Sequence, residues 1–350
     1  MESIETSDKK ANAKGAWPHL TLIIALSLFA VSDSFSKDVW SESYRIAESS
    51  YGGIKICGRM DVHEELNVPE VLSGRKVVEI GREAFIGDMT IKKVVLPMSV
   101  RAIGEKAFCR CSHLEEVRFR SSKEIARDES LHIKFGAFMQ CALLRECDFP
   151  SNLAYVGGYA FACCSNLVGC LLPESLVQLD PSAFAHCSLL GEITIPKRVS
   201  TEMCAAFEEC FSLSNIVVDV GNKVFCSSDG LLMSKSKTVV WRCPPANVRS
   251  EIILPDSVCL IAPGAFANCK NIQRVVCSGK LQMIGRAAFM LSGIETLISS
   301  KGINAIDDFA FAGCGSLREI SVPVPPGSVA TNAFSSCPNL HSSCAAWARK

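Results

Sequence analysis

The pair Ala-Phe recurs ten times in this 350-residue chain, and its spacing constrains the fold more than any other feature. Successive phenylalanines are 23, 30, 23, 23, 23, 59, 23, 22 and 23 residues apart. A near-constant period predicts a solenoid, because each repeat then covers the apolar face of its neighbour. The phenylalanines of the ten pairs are Phe85, Phe108, Phe138, Phe161, Phe184, Phe207, Phe266, Phe289, Phe311 and Phe334.

Other positions keep a fixed distance from each Phe. A Leu or Ile follows six residues later in every unit, and apolar pairs such as Val94 and Leu96 stand nine and eleven residues after it. Alternation of this kind predicts a half-buried strand. We therefore expect an α/β repeat solenoid of the leucine-rich-repeat type, with a period of about 23 residues, rich in β-structure and with short helical turns that carry Ala-Phe.

Glycine precedes several of the Ala-Phe pairs, as at Gly104 and Gly157. We expect these glycines to adopt a backbone conformation that is closed to other residues.

Two longer steps interrupt the period. Seven extra residues fall between Phe108 and Phe138, in the charged stretch 120–130, which we expect to bulge as a loop. The step from Phe207 to Phe266 contains Asp229-Gly230 between apolar residues, which predicts a β-hairpin. Since the register resumes after it, we interpret this stretch as one or two divergent coils within a continuous solenoid.

The N-terminal stretch has the pattern of a secretory signal. Three lysines precede the 12-residue apolar run from Leu20 to Val31, and small residues follow at Ala30 and Ser32. The run is shorter than the roughly 18 residues that usually span a bilayer, which favours export and cleavage over an uncleaved anchor or a buried strand. We expect no stable membrane span after cleavage.

The repeat resembles that of the BspA-like leucine-rich-repeat family, whose unit reads IPxxVxxIGxxAFxxCxxLxxI. The chain carries it from Leu96-Pro97 through Val100, Ile103-Gly104 and Ala107-Phe108 to Leu114, and the resemblance covers about residues 51–340. Asn222 to Gly230 is similar to a divergent unit of that family. The resemblance implies secreted or surface proteins that bind other proteins, in some members host matrix components.

We accordingly expect a signal peptide at 1–32, an N-terminal linker and β-hairpin cap at 33–80, and a leucine-rich-repeat solenoid at 81–345. Within the solenoid, the divergent hairpin-containing unit should lie at about 219–250.

Cysteine is abundant, with 19 residues, and eight of the ten units carry one three residues after Phe. In-register Cβ atoms on stacked coils stay about 4.8 Å apart, beyond the roughly 3.8 Å that a disulfide favours. We therefore expect a column of buried free thiols that fill space and donate weakly to turn carbonyls, in preference to bridges. Cys163, two residues after Phe161, should instead be exposed, either as a reactive or intermolecular thiol or as an inert surface cysteine.

The remaining composition excludes several classes of function. Lys plus Arg and Asp plus Glu number 36 each, so no net charge attracts nucleic acid. The sequence has no Cys-x-x-Cys, no phosphate-binding glycine loop and no metal-ligand spacing among its histidines. We expect no catalytic, metal or cofactor site, and hence no enzyme.

Outward positions of the main strands lie eight and ten residues after each Phe, and stacking should align them in a ribbon, a surface that solenoids commonly use for partners. The apolar part of the ribbon is the candidate site, unless its residues only reflect strand propensity. Its residues are Leu171, Thr194, Val217, Val276 and Ile298.

Together with the signal pattern and the lack of a catalytic constellation, the family resemblance implies a non-catalytic, adhesin-like protein that is secreted or displayed at the cell surface and binds a protein partner, possible partners being host or matrix proteins. The alternative is a structural solenoid of an exported envelope protein that has no specific ligand.

Overall fold

In a computed structural model of the protein, the structure describes residues 39–120, 129–201, 205–277 and 279–349. They belong to one compact unit. The predicted signal peptide and most of the predicted charged loop at 120–130 lie outside the described residues.

The described residues form short strands throughout. In chain order these are β1 (Val39–Ser41), β2 (Tyr44–Glu48), β3 (Ile54–Arg59), β4 (Glu65–Asn67), β5 (Val71–Leu72), β6 (Arg75–Ile80), β7 (Lys93–Leu96), β8 (Ala102–Ile103), β9 (Glu116–Phe119), β10 (Leu131–Ile133), β11 (Glu146–Cys147), β12 (Leu153–Val156) and β13 (Gln178–Leu179). They continue with β14 (Glu192–Ile195), β15 (Asn215–Val218), β16 (Phe225–Ser228), β17 (Leu231–Ser234), β18 (Val239–Arg242), β19 (Glu251–Ile253), β20 (Leu260–Ile261), β21 (Arg274–Cys277), β22 (Met283–Ile284), β23 (Thr296–Ser299), β24 (Ala305–Ile306), β25 (Glu319–Ser321) and β26 (Ser328–Val329). A short α-helix, α1 (Ser342–Ala345), and a 3-10 helix, η1 (Ala346–Arg349), follow.

Most coils contribute one strand to each of two kinds of sheet, although the segments around Leu171 and Val199 form none. The lateral sheets have the orders β1-β2-β3-β6-β8-β10-β12-β13, with β5 paired to β6, and β16-β17-β18-β20-β22-β24-β26. The ribbon sheets have the orders β11-β9-β7-β4, β14-β15 and β19-β21-β23-β25. Strands of successive coils pair in parallel, because each coil repeats the path of the one before it.

Both lateral sheets begin with an antiparallel meander and continue as a parallel ladder. Strands β1 to β3 form the first meander, and β16 to β18 form the second around the turn Asp229-Gly230, where φ is 54° and 79°. The apolar core likewise consists of two clusters that meet at β17, where Leu232 belongs to the first and Leu231 to the second. The long step between Phe207 and Phe266 therefore contains an antiparallel meander from which a second parallel ladder begins.

The phenylalanines of neighbouring coils stack ring on ring along the core. From Phe85 to Phe184 the ring centroids are 5.1 to 5.2 Å apart, and from Phe266 to Phe311 they are 4.9 to 5.0 Å apart. The backbone follows the same ladder, since Phe161 N–H donates to the Ala183 carbonyl of the next coil at 2.7 Å. Ring stacking and hydrogen bonding thus set the same coil-to-coil spacing.

The expectation of an α/β class with helical turns around Ala-Phe is wrong. These segments are successive hydrogen-bonded turns, and in the described part of the chain helix occurs only in α1 and η1. Lys106 and Arg110, two residues before and after Phe108, have φ of 54° and 64°, which no right-handed helix contains. The Phe108 and Arg110 amides donate to Ala137 and Met139 of the next coil, not to carbonyls four residues back.

Glycine recurs before Ala-Phe for a reason other than the expected unusual backbone conformation. Gly104 and Gly157 have no left-handed φ, but a Cβ at Gly104 would lie 2.7 Å from the Arg82 nitrogen, and one at Gly157 would lie 2.8 Å from the Phe135 nitrogen. Close approach of the neighbouring coil's backbone, and not an unusual dihedral angle, requires glycine at these positions.

The cysteines three residues after Phe form a second internal column. Seven of these thiols donate to the carbonyl of the preceding coil's Phe over 2.9 to 3.2 Å, and Cys269 donates to the Cys243 carbonyl at 3.5 Å. The eight thiols of this column form no disulfide bridge. The column therefore satisfies one turn carbonyl per coil from inside the core.

We predict that Phe161→Ala destabilises the protein by about 3–5 kcal/mol, because it removes a fully buried ring from the middle of the stack. Urea unfolding followed by circular dichroism measures the change. Phe211→Ala is the matched control, since that ring is 50% exposed and its loss should cost about 1 kcal/mol or less. Equal losses in the two variants would contradict the stack as the main contact between coils.

The thiol column predicts a loss of stability in alkali. Burial, and after it the Asp88 carboxylate, raises the pKa of Cys111 from 9.0 to about 12. The folded state keeps the proton that the unfolded state loses, so the stability from this thiol is complete below pH 9 and falls as pH rises toward 12. Between pH 9 and 12 the unfolding free energy of both proteins should fall as pH rises. The slope should be smaller in Cys111→Ala than in the wild type, by about 1 kcal/mol per pH unit. Urea unfolding under reductant over this pH range measures both slopes, and equal slopes would contradict the prediction.

Candidate partner-binding face

The structure brings the predicted ribbon residues together in two pairs and leaves one apart. Thr194 of β14 pairs with Val217 of β15, and Val276 of β21 pairs with Ile298 of β23. Thr194 and Val217 are exposed, while Val276 and Ile298 are half-buried. Leu171 is 87% exposed and lies between β11 and β14, in a segment that forms no strand.

The second meander separates the two pairs. Its turn carries Asp229, whose carboxylate lies 2.9 Å from the Arg249 guanidinium just before β19, and Ser227 Oγ accepts the Val218 amide of β15 at 3.3 Å. The tip of this hairpin therefore contacts both neighbouring ribbon sheets. As a result, the outward residues form separate groups and not one continuous ribbon.

Charged residues beside the apolar ones are paired across coils. Lys93 Nζ lies 3.7 Å from the Glu116 carboxylate on the next strand, and Arg274 Nε lies 3.1 Å from that of Glu251. Exposed pairs of this kind contribute only about 0–1 kcal/mol each, and they neutralise each other's field. The ribbon sheets thus offer apolar contact more than net charge to a partner.

Ile253 also belongs to this face, although the Ala-Phe register does not predict it. It is 68% exposed and pairs with Val276, which in turn pairs with Ile298. The preceding unit lacks Ala-Phe, so counting from Phe could not reach it. Cys243 occupies the Phe position there, 23 residues before Phe266, and its amide donates to the Ala265 carbonyl at 2.7 Å. We call Ile253, Val276 and Ile298 the apolar row.

Cys163 lies in a column of left-handed residues two positions after Phe, and its side chain is half-buried. Burial, and then the Glu209 carboxylate, raises the pKa of the Cys163 thiol, which keeps it protonated. In the same column, His186 Nδ1 lies 2.9 Å from Glu209 Oε2, and this hydrogen bond raises the pKa of His186. The column provides an accessible thiol but no activated one.

Neither a metal-binding cluster nor a membrane-spanning helix occurs in the described ranges. There, no three His, Cys, Asp or Glu side chains are grouped so that they could hold a metal ion. No helix in these ranges combines the length and the apolar character needed to cross a membrane.

Comparison with known proteins gives one family match. The sequence model of the BspA type leucine rich repeat region matches in six copies, over residues 78–131, 125–231 and 247–344. No curated protein matches the chain.

Several solved structures are similar in fold. A leucine rich cell surface protein from Faecalibacterium prausnitzii A2-165 is 23% identical with a TM-score of 0.60, covering 89% of this chain and 95% of that chain. The pneumococcal vaccine antigen PcpA is 20% identical with a TM-score of 0.75, covering 88% of this chain and 81% of that chain. A leucine-rich repeat protein from Bacteroides ovatus ATCC 8483 is 22% identical with a TM-score of 0.54, covering 88% of this chain and 81% of that chain.

Cys163 and Cys164 are adjacent in the chain but differ in burial, and their rates of alkylation test this difference. In the native protein, iodoacetamide should modify half-buried Cys163 at least tenfold faster than Cys164, which is fully buried and donates to the Phe138 carbonyl. Peptide mass spectrometry over time measures both rates. The two thiols should react at the same rate in urea. Equal rates in the native protein would contradict the difference in burial between Cys163 and Cys164.

Proposed function

Because the chain belongs to the BspA-type leucine-rich-repeat family, we propose that it is a non-catalytic, adhesin-like protein that binds a protein partner after export or at the cell surface. The proposal includes the signal peptide at 1–32, the cap at 33–80 and the solenoid at 81–345, with the divergent unit at about 219–250. Its partner is proposed to be a protein of a host or of an extracellular matrix.

The apolar row is the observation that carries this proposal. Three aliphatic side chains in direct register on adjacent strands form a continuous strip, and their neighbours Glu251 and Arg274 neutralise each other. An exposed apolar strip rimmed by polar groups is typical of a protein interface. Strand propensity explains single exposed aliphatic residues, but the register of three supports a shared contact surface.

Two other observations support the class of function. The similar structures include a cell surface protein and a vaccine antigen, which agrees with a role outside the cytoplasm. The closest histidine–carboxylate contact on the described surface, His186 with Glu209, is a hydrogen-bonded pair beside Cys163, whose thiol has a raised pKa. This arrangement stabilises the coil and supports binding over catalysis.

Substitution of the apolar row tests the proposal. Ile253→Ser, Val276→Ser and Ile298→Ser together should weaken binding to immobilised extracellular-matrix proteins at least tenfold, since interface truncations of this kind cost more than about 1 kcal/mol each at a hot spot. Biosensor measurements on the purified protein give the affinity. Protease treatment of intact source cells gives the location.

A control triple variant, Val62→Ser, Val220→Ser and Val324→Ser, removes three exposed valines elsewhere and should bind like the wild type. Both variants should keep the wild-type circular dichroism spectrum. Protease resistance in intact cells, together with no binding to any matrix protein, would reject the proposal and favour a structural solenoid without a specific ligand.

A further inference from the structure

Aromatic side chains are concentrated on the first lateral sheet. The chain has four tyrosines, and Tyr51, Tyr155 and Tyr159 lie on or beside this sheet together with Phe135, whose ring is 42% exposed. Phe135 and Tyr159 meet edge to face with ring centroids 5.5 Å apart, and Lys134 Nζ lies 5.7 Å from the centre of the Tyr51 ring. We call Tyr51, Lys134, Phe135, Tyr155 and Tyr159 the aromatic patch.

A cavity of about 320 Å³ opens beside Tyr51. Its wall includes Arg75, Lys76, Arg101 and Glu129, with the backbone of Gly52 and Gly53 at its edge. This volume holds one or two side chains of a ligand, but not a folded element. Tyr51 belongs both to the cavity wall and to the aromatic patch, since Lys134 of the patch lies over its ring. His132, whose amide donates to the Arg101 carbonyl, packs edge to face on Tyr155 of the patch.

The cavity wall is positively charged. It has three cationic side chains and one carboxylate. Glu129 pairs with Arg101, and Glu48 pairs with Arg75 from outside the wall, whereas Lys76 is exposed and has no acidic partner among the described residues. Arg101 Nε is buried and has no hydrogen-bond acceptor among the described residues. Because this Nε is out of reach of solvent and both arginines are paired, Lys76 is the cation that remains available to an anionic group.

We propose that the cavity and the aromatic patch together dock an acidic segment of a protein partner. A Glu or Asp side chain of that segment enters the cavity, where its carboxylate faces Lys76. The adjoining aromatic or aliphatic side chain packs on Phe135 and Tyr159. Tyrosine and arginine are the residues that most often dominate binding energy at interfaces, and Lys134 on Tyr51 links the two parts.

This inference rests on the proposed function but locates a different surface. The apolar row lies on the last ribbon sheet, whereas the cavity lies on the first lateral sheet. The two surfaces differ in chemistry as well, because the row offers aliphatic contact without net charge. A partner with an acidic, aromatic segment would use the lateral sheet whether or not it also contacts the row.

Fluorescence anisotropy with labelled peptides tests the site on the full chain. A peptide that alternates glutamate with tyrosine and leucine should bind at least tenfold more tightly than the same peptide with glutamine in place of glutamate. Lys76→Glu should weaken binding of the acidic peptide at least tenfold, and Tyr51→Ala at least threefold. Binding should also weaken as salt is added.

Lys301→Glu is the matched control, since Lys301 is an exposed lysine of the last coils and its reversal should change the affinity less than twofold. Circular dichroism and the urea midpoint must match the wild type for each variant. Equal binding of the glutamate and glutamine peptides, or unchanged binding by Lys76→Glu, would overturn the proposal. Binding of heparin but not of the acidic peptide would overturn it in favour of a sulfated glycan.

The apolar-row triple variant separates this inference from the proposed function. It should bind the acidic peptide like the wild type while losing matrix binding. If matrix binding depends on the row but Lys76→Glu changes neither ligand, the docking site is rejected and the proposed function remains. If the acidic peptide binds through Lys76 and no matrix protein binds, the docking site remains and the adhesin-like role is rejected.

Discussion

Contact between one phenylalanine ring and the next is the interaction on which the solenoid depends. Rings at a centroid distance of about 5 Å match the spacing of backbone strands, so the side-chain stack and the hydrogen-bond ladder reinforce each other. Where the Ala-Phe pair is lost, at Arg242-Cys243, the backbone ladder continues through the Cys243 amide, but the ring stack is interrupted. The core divides into two clusters near this point.

The turn that carries each ring explains two other recurrent features. Left-handed residues before and after Phe cost about 1–2 kcal/mol each when they are not glycine, and their amides recover hydrogen bonds from the neighbouring coil. The cysteine thiol then satisfies the Phe carbonyl from inside. Such a turn is stable only within a stack, which is why it is neither a helix nor an independent unit.

The ribbon sheets and the first lateral sheet of this solenoid differ in the chemistry of their exposed side chains. On the ribbon sheets, charges of opposite sign face each other across coils and leave the aliphatic side chains as the distinguishing contact groups. On the first lateral sheet, the turn between β2 and β3 places Tyr51 beside a cavity lined by three cationic side chains and under the Lys134 ammonium of a later coil. The two surfaces therefore offer different contact chemistry on one molecule.

Side-chain polarity repeated at a constant interval was sufficient to predict the period, the buried phenylalanines, the thiol column and the register of the outward strand positions. The folded chain was needed to show that the Ala-Phe segments are turns, since their amides bond to the next coil, and that Gly104 is required for close approach. It also decided the grouping of the apolar row, where Ile253 follows a unit without Ala-Phe. The cavity was equally beyond sequence reasoning, because Tyr51, Lys76 and Arg101 come from different coils and share no period.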